Sequence, residues 1–304
     1  MKILTDFKTT FPGLVVGIGN FDGVHRGHRK IIEAIKKQAG PRGVSGIITF
    51  RNHTRLPKEV RANRLLSTID QRLEYFQAAG IAACWSLEFD NNFADQRPED
   101  FITETLVERL GIRGICVGEG FRFGGGRRGT VDLLIKMGKE SGFKVNEIPI
   151  VRIDNREVRS SIIRELIRDG NLKEANNLLG YDYCLTGRVI KGRGRGKSLG
   201  YPTANFNPEQ LIPGSGVYIC RIEAGFGEKP GILYVGTRPT FRDSGDREVI
   251  AEAHIFDWTG SLMGKRLKVC LYNRLRKDIT FNHSEDLSLQ IEKDEKEARR
   301  YFIE

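Results

Sequence analysis

The stretch GIGNFDGVHRGH, residues 17–28, decides how the first half of the chain is read. It follows the apolar run Leu14, Val15, Val16, so the order is a buried strand, a glycine-rich turn, then a helix beginning near Arg26 or Gly27. The N–H groups at a helix start are unpaired and carry partial positive charge, which suits a phosphate. Gly19, Gly23 and Gly27 clear side chains from the approach of such a group, and Gly19, Asn20, Phe21, Asp22 and Gly23 are the expected phosphate-binding loop. His25 and His28 lie one turn apart on one face, where both imidazoles can donate to the same triphosphate as charge builds on its oxygens. The pattern points to an enzyme that handles ATP. It is not a dinucleotide fingerprint, because the sixth position of G-x-G-x-x-G is Asp22. A zinc pair lacks a nearby cysteine or acidic third ligand.

Composition bounds the rest. With 304 residues, 39% hydrophobic and 29% charged, the chain has room for two globular domains, each with a core. No apolar run is long enough to span a bilayer, and the N-terminal MKILTDFKTTFPGL lacks the apolar region of a secretion signal. The five cysteines (Cys84, Cys116, Cys184, Cys220, Cys270) are scattered and form no CxxC pair, which favours free thiols in a reducing cytoplasm. The net charge of +10 gathers partly in two glycine-rich loops, GEGFRFGGGRRG and KGRGRGK. Such short loops suit phosphates better than nucleic acid, which calls for longer tracts with interleaved aromatics.

Two rhythms succeed one another. Up to about residue 180, strand-like runs at 14–17, 44–50, 82–87, 115–118 and 144–150 alternate with helical spacing at 31–39, 69–79, 100–110 and 131–141. That order predicts an α/β, Rossmann-like domain with a parallel sheet, whose ligands sit at the carboxyl ends of the strands. Two short helices, 160–168 and 172–179, close this half. From residue 183, strand-like runs at 183–190, 216–223, 231–235, 249–256 and 267–273 predict a small antiparallel β-barrel. A C-terminal helix over 284–302, capped by Ser284, covers part of it through Leu287, Ile291, Ala298 and Phe302. The expected domains are 1–181 and 182–304.

GNFDGVHRGH resembles the GxFDGxHxGH signature of nucleotidyltransferases with paired histidines, in the version carried by bacterial bifunctional riboflavin kinase/FAD synthetases. GRGRGKSLGYPTANF, residues 192–206, resembles the riboflavin kinase signature GxxxGxxLGxPTAN. A P-loop would need glycine at Lys191, and no helix-forming sequence comes after Ser198. Gly192, Gly194 and Gly196 allow a flap over phosphates, with Arg193, Arg195 and Lys197 adding charge. Thr203 and Asn205 point the same way in an extended chain and can both serve Mg²⁺, as the resemblance implies. Phosphorylating an alcohol calls for a carboxylate at the attacking hydroxyl. The resemblance assigns that role to Glu252 in IAEAHIF.

It further implies flavin contacts from Arg276 and Phe281 in LRKDITF, and from His53 and Arg122 in the first half. VRSSIIREL resembles the family's ISSTxIR, so Ser160, Ser161 and Arg164 at a helix start would hold the leaving pyrophosphate. The implied activity is ATP-dependent phosphorylation of riboflavin to FMN, then adenylylation of FMN to FAD. ATP is the co-substrate and Mg²⁺ the cofactor, with ADP and pyrophosphate as products. No nucleic acid or membrane partner is expected, and homo-oligomerisation is not readable. Three departures bear on the first domain: Arg159 replaces the first Ser of the motif, TFRNHT has Asn52 and Thr54 where the family has proline, and Gly120 stands at a polar position. They keep open a riboflavin kinase whose first domain is degenerate or repurposed. A non-catalytic flavin- or RNA-binding regulator is a further alternative, against which Glu252, His25 and His28 argue.

Overall fold

Three strand runs of the first half are buried along their whole length: VVGI in β2 (Val15–Ile18), SGIITF in β3 (Ser45–Phe50) and ACWSL in β4 (Ala83–Leu87). Strands buried on both faces belong to a parallel sheet covered by helices on either side. β1 (Lys2–Leu4), β5 (Gly114–Gly118) and β6 (Lys144–Ile148) complete a six-stranded parallel sheet in the order β1-β4-β3-β2-β5-β6. Successive residues face opposite layers. Val15, Ile47, Cys84 and Cys116 meet Ile32 and Ile35 of α1 (Arg26–Ala39) and Phe76 of α2 (Ile69–Ala78), while Val16, Ile48, Trp85 and Val117 join the opposite core. The structure is a computed structural model and describes residues 1–51, 65–192, 196, 200–239 and 247–303.

Three short stretches depart from the sequence expectation. β1 is a three-residue edge strand too short to carry a period. After α3 (Asn91–Asp95) and α4 (Pro98–Asp100), the helix expected over 100–110 runs as a π-helix at Phe101–Arg109, with Leu110 N–H reaching Thr105 O at 3.1 Å. Beyond α5 (Val131–Ser141), a two-residue hairpin, β7 (Arg152–Ile153) with β8 (Arg156–Glu157), precedes α6 (Ser160–Arg168).

The chain divides into two compact units, one of Met1–Arg61 with Leu65–Ser160, the other including Ser161–Glu304. α6 beyond its first residue and α7 (Leu172–Leu179) fold with the second unit. There, Asn176 of α7 donates to Leu271 O at 2.8 Å. The rest is a closed antiparallel barrel, β10-β13-β12-β11-β14-β9. Its strands are β9 (Tyr183–Ile190), β10 (Thr203–Pro208), β11 (Gly216–Ala224), β12 (Gly227–Pro239), β13 (Arg247–Ile255) and β14 (Arg266–Lys277). The closing strand is β10, the TAN segment itself. α8 (Ser284–Tyr301) packs Ala298 and the adjoining Phe302 against Val217, Ile219, Ile232 and Phe256. His283, not Ser284, occupies its N-cap position and makes no side-chain cap bond.

The cysteine expectation is corrected. β9 and β14 pair in a register that sets Cys184 opposite Cys270, and the two form a disulfide across 86 residues of sequence. Linear spacing hides a partner that only strand register brings close. Burial pushes the thiols of Cys84 and Cys116 up to about 12 and raises that of Cys220 as well, so none is a thiolate at neutral pH.

At the carboxyl end of β2 the chain takes a costly path. Phe21 and Val24 have φ of 48° and 34°, with Gly23 at 82° between them. Left-handed backbone costs a non-glycine residue about 1–2 kcal/mol. Tertiary contacts offset it. Phe21 is 2% exposed and meets Phe76 edge-on at 5.6 Å; Val24 is 1% exposed. Burying each of these side chains contributes roughly 1.5–3 kcal/mol. The Asp22 carboxylate accepts from Leu66 N–H at 2.9 Å, Ser67 N–H at 3.1 Å and the Ser67 hydroxyl at 3.3 Å, while Gly23 N–H donates to that hydroxyl at 2.8 Å. Asn20 O accepts from Arg72 Nη1 at 2.6 Å and Thr49 Oγ1 at 3.2 Å, and Asp22 O accepts from Ser160 Oγ at 3.0 Å.

Two outcomes are expected. Alkylation of denatured, unreduced protein labels three thiols, and five after reduction; five from the start would remove the disulfide. Asp22→Ala strands two buried N–H groups and lowers the unfolding free energy by about 3 kcal/mol, read by urea titration of the buried Trp85 fluorescence. A loss below about 1 kcal/mol would mean that the carboxylate does not hold the turn.

Candidate active sites

β2 is the strand from which the sheet order runs out both ways, to β3 and β4 on one side and to β5 and β6 on the other. In open α/β sheets this switch point is where a crevice opens at the strand ends. The turn delivers His25 there as the N-cap of α1, its Nδ1 accepting from His28 N–H at 3.3 Å. An acceptor nitrogen carries no proton, so neutral His25 bears its proton on Nε2. The rings of His25 and His28 stack with centroids 3.6 Å apart and 16° between planes, and Phe21 backs His28 at 5.2 Å. Two imidazoles side by side at a helix N-terminus form one electropositive donor group for phosphate oxygens.

The neighbouring motif residues divide by role. The side chains of Phe21 and Asp22 are buried, so only their backbone, with that of Gly19, Asn20 and Gly23, is left to meet a ligand. Ser160, the last residue of the first unit, donates to Asp22 O of the turn; Ser161 and Arg164 lie on the part of α6 that folds with the second unit. Arg159 pairs with Glu157 at 2.7 Å, and Glu157 also takes Arg152 at 2.9 Å. These guanidinium bonds lower its carboxyl pKa from the ordinary value. Arg122 is exposed between Phe121 and Phe123, whose rings stack at 5.7 Å. Gly120 has φ 71° and donates its N–H to Glu147 at 3.2 Å. His53, with the Asn52 and Thr54 departures, lies outside the described residues, as do Arg193, Gly194, Arg195 and Lys197.

In the barrel, register assembles the second site. Asn205 lies opposite Glu252, Thr203 opposite His254, and Tyr234 opposite Glu252. Directly opposed residues share a face, so all five side chains leave the barrel on the same side. Thr203 Oγ1 donates to Glu252 Oε2 at 3.2 Å. A Cβ at Gly192 would stand 2.3 Å from Asn205 Nδ2, and one at Gly196 would stand 2.3 Å from Tyr201 O. At Gly196, where the neighbour is backbone, only glycine permits so close an approach. Hydroxyl, amide and carboxylate oxygens in one cluster are the hard ligands that suit Mg²⁺. Tyr234 donates to Asp278 at 3.2 Å, and burial first, then the Asp278 and Glu252 carboxylates, push its phenol up to about 12.

Arg276 grips the buried Asp294 of α8 through Nε at 3.0 Å to both oxygens and Nη2 at 2.8 Å, and it sits 5.9 Å from the Phe281 ring centroid. Its guanidinium is therefore engaged with the C-terminal helix. The sequence reading missed Tyr234, His254 and Asp294. The alternation Glu252, Ala253, His254 on one strand was the available signal for His254; nothing local marks the other two.

Comparison with known proteins finds a different family in each half of the chain. A family model described as FAD synthetase matches residues 8–162, and one described as riboflavin kinase matches 179–302. The bifunctional riboflavin kinase/FMN adenylyltransferase of Escherichia coli K12 is 34% identical over 297 residues, covering 95% of this chain and 93% of its own. Its counterpart in Bacillus subtilis is 31% identical over 298 residues, covering 95% and 92%. A crystal structure described as a macrolide-efflux protein from Streptococcus pneumoniae superposes with TM-score 0.86 at 26% identity over 98% of both chains. Among the described residues of the present chain, no helix is long and apolar enough to cross a membrane. By sequence over nearly its whole length, the chain belongs to the family of bifunctional riboflavin kinase/FMN adenylyltransferases.

Proposed function

We propose that this chain makes FAD from riboflavin in two ATP-dependent steps, with the kinase function in 182–304 and the adenylyltransferase function in 1–181. The observation that carries the reading is the cluster of Thr203, Asn205 and Glu252 on one barrel face, against Gly192 and Gly196. In the first step the terminal hydroxyl of riboflavin attacks the γ-phosphorus of ATP, Glu252 takes the hydroxyl proton, and ADP leaves with FMN formed. Thr203 and Asn205 would hold Mg²⁺, which when bound with ATP would neutralise charge on the phosphates. Gly192 and Gly196 keep side chains out of the approach of the nucleotide to this face.

In the second step a phosphate oxygen of FMN attacks the α-phosphorus of ATP and pyrophosphate leaves. No covalent intermediate is required, so the residues contribute positioning and charge neutralisation. His25 and His28 donate to the phosphate oxygens at the α1 N-terminus, and Ser160, Ser161 and Arg164 take the pyrophosphate. Gly194, Lys197 and His53 belong to the same reading as phosphate and flavin contacts, with Arg122, Arg276 and Phe281 as further flavin contacts. An enzyme that uses two ATP molecules works where ATP is kept, in the cytoplasm.

Riboflavin, ATP and Mg²⁺ incubated with purified protein are expected to give FAD by chromatography, as is FMN in place of riboflavin. FMN alone, with none converted to FAD, would leave a kinase with a silent first domain. Glu252→Gln is expected to lower FMN formation by about 10²–10⁴-fold while FAD still forms from supplied FMN. His28→Asn is expected to do the reverse. Chelating the metal with EDTA is expected to stop both steps and excess Mg²⁺ to restore them; turnover in EDTA would remove the metal from the mechanism.

A further inference from the structure

His254 stands two residues beyond Glu252 on β13, on the same outward face, and is buried to 9% exposure. Its Nδ1 lies 2.8 Å from the carbonyl oxygen of Pro202. A carbonyl can only accept, so Nδ1 carries the proton and donates it. Its other nitrogen faces Glu295 of α8 at 3.7 Å. Tyr201 and Phe256 flank the ring edge-on, each at 5.7 Å. Glu295 in turn binds Arg299 at 2.7 Å, and Arg299 forks onto Asp257 at 2.8 and 2.9 Å and lies over the Phe256 ring at 4.5 Å. The imidazole is thus fixed from the helix side before it reaches the barrel edge.

Pro202 matters because it is the last residue before β10, whose first residue is Thr203, and proline has no N–H with which to join the ladder. The β10–β13 register begins at Thr203 opposite His254, so the imidazole bond to Pro202 O extends that pairing one residue further. We infer that His254 is a positioning residue for the kinase step: it pins the Pro202 carbonyl, and with it the angle at which Thr203 and Asn205 present their oxygens, while α8 holds His254 through Glu295. His254 does not touch substrate in this role. The inference rests on the reading of Thr203 and Asn205 as the Mg²⁺–nucleotide segment.

Three substitutions separate the parts. His254→Asn keeps a donor near the Nδ1 position, His254→Gln moves it toward Glu295, and His254→Leu removes it. The readout is the calorimetric dissociation constant for ADP with Mg²⁺ and in EDTA, alongside the kinase KM and kcat. His254→Leu and His254→Gln are expected to weaken Mg²⁺–ADP binding by about 10-fold, the scale of one lost buried hydrogen bond. Binding in EDTA is expected to change less than about 2-fold, and His254→Asn to recover most of the loss. The KM for Mg²⁺–ATP rises more than kcat falls, and FAD formation from supplied FMN is unchanged. Mg²⁺–ADP affinity of His254→Leu within about 2-fold of the parent would overturn the inference, as would an Asn variant as weak as Leu. Should the Leu variant fail to fold, seen as loss of the barrel's thermal transition, the Gln variant decides. Absence of FMN formation by the parent protein would instead sink the kinase reading itself.

Discussion

The first site depends on one turn whose backbone no local preference supports. Phe21 and Val24 both lie in the left-handed region, and Val24 is β-branched, the residue type least suited to it. Such a conformation persists only where the surroundings over-determine it. The surroundings come from four separate stretches: Thr49 at the end of β3, Leu66 and Ser67 before α2, Arg72 inside α2, and Ser160 at the start of α6. Arg72 is 3% exposed, and desolvation lowers its pKa from the ordinary value while the Asp22 charge opposes that shift. A guanidinium held this deep needs the Asn20 carbonyl and Thr49 hydroxyl as partners as much as they need it. The strained turn and its buried clamp therefore support each other, and the stacked histidine pair follows directly from that turn.

The barrel solves a different problem by register. Along β13, Ala251, Ala253 and Ile255 point inward and are buried, while Glu252 and His254 point outward. On β12, Leu233 and Val235 face in and Tyr234 faces out. A slip of one residue would put Glu252 into the core and Ala253 beside Thr203 and Asn205, so the hydrophobic alternation that closes the barrel also sets the cluster. α8 then lies along the outward face. Its Asp294 is buried against Arg276, an ion pair whose desolvation opposes its attraction. Its clearer effect is directional: a two-point fork fixes the rotation of α8, and with it the side that presents Glu295.

The sequence rendered the frame well and the clamps poorly. The largely apolar runs 44–50 and 82–87, alternating with helical spacing, implied covered parallel strands, and the closely spaced strand runs after residue 183 implied a β-rich unit. The GNFDGVHRGH and PTAN segments lie where their residue types implied, at the end of β2 and on an outward strand face. Asp22 sits in the expected phosphate loop, yet its carboxylate is turned inward to backbone N–H groups 44 and 45 residues away. Its partners are main-chain atoms, which leave no mark in a one-dimensional pattern. The same blindness hid Cys184–Cys270 and Tyr234, whose neighbours are set by pairing registers rather than spacing. Chemistry carried by side-chain type is legible in order along the chain. Chemistry carried by hydrogen bonds to distant backbone is not.

That division bears on the departures in the first unit. At Gly120 the loop is held by Glu147 accepting its N–H and by the neighbouring Glu119 accepting from Ile150 N–H at 3.1 Å. A left-handed φ with no atom within 4 Å of a would-be Cβ shows that nothing in the fold leans on a side chain there. Arg159 is likewise spent on Glu157 at the surface, one residue before Ser160 makes its bond to the turn. Both changes remove or redirect groups that could touch a ligand, and neither breaks a bond that shapes the turn. Nucleotidyl transfer draws most of its acceleration from positioning and fixed charge. On the proposed function, a chain that loses a peripheral contact while keeping its strained turn, helix N-terminus and stacked imidazoles keeps the groups proposed to act on the transition state. The cost of such departures falls on substrate affinity rather than on the chemical step.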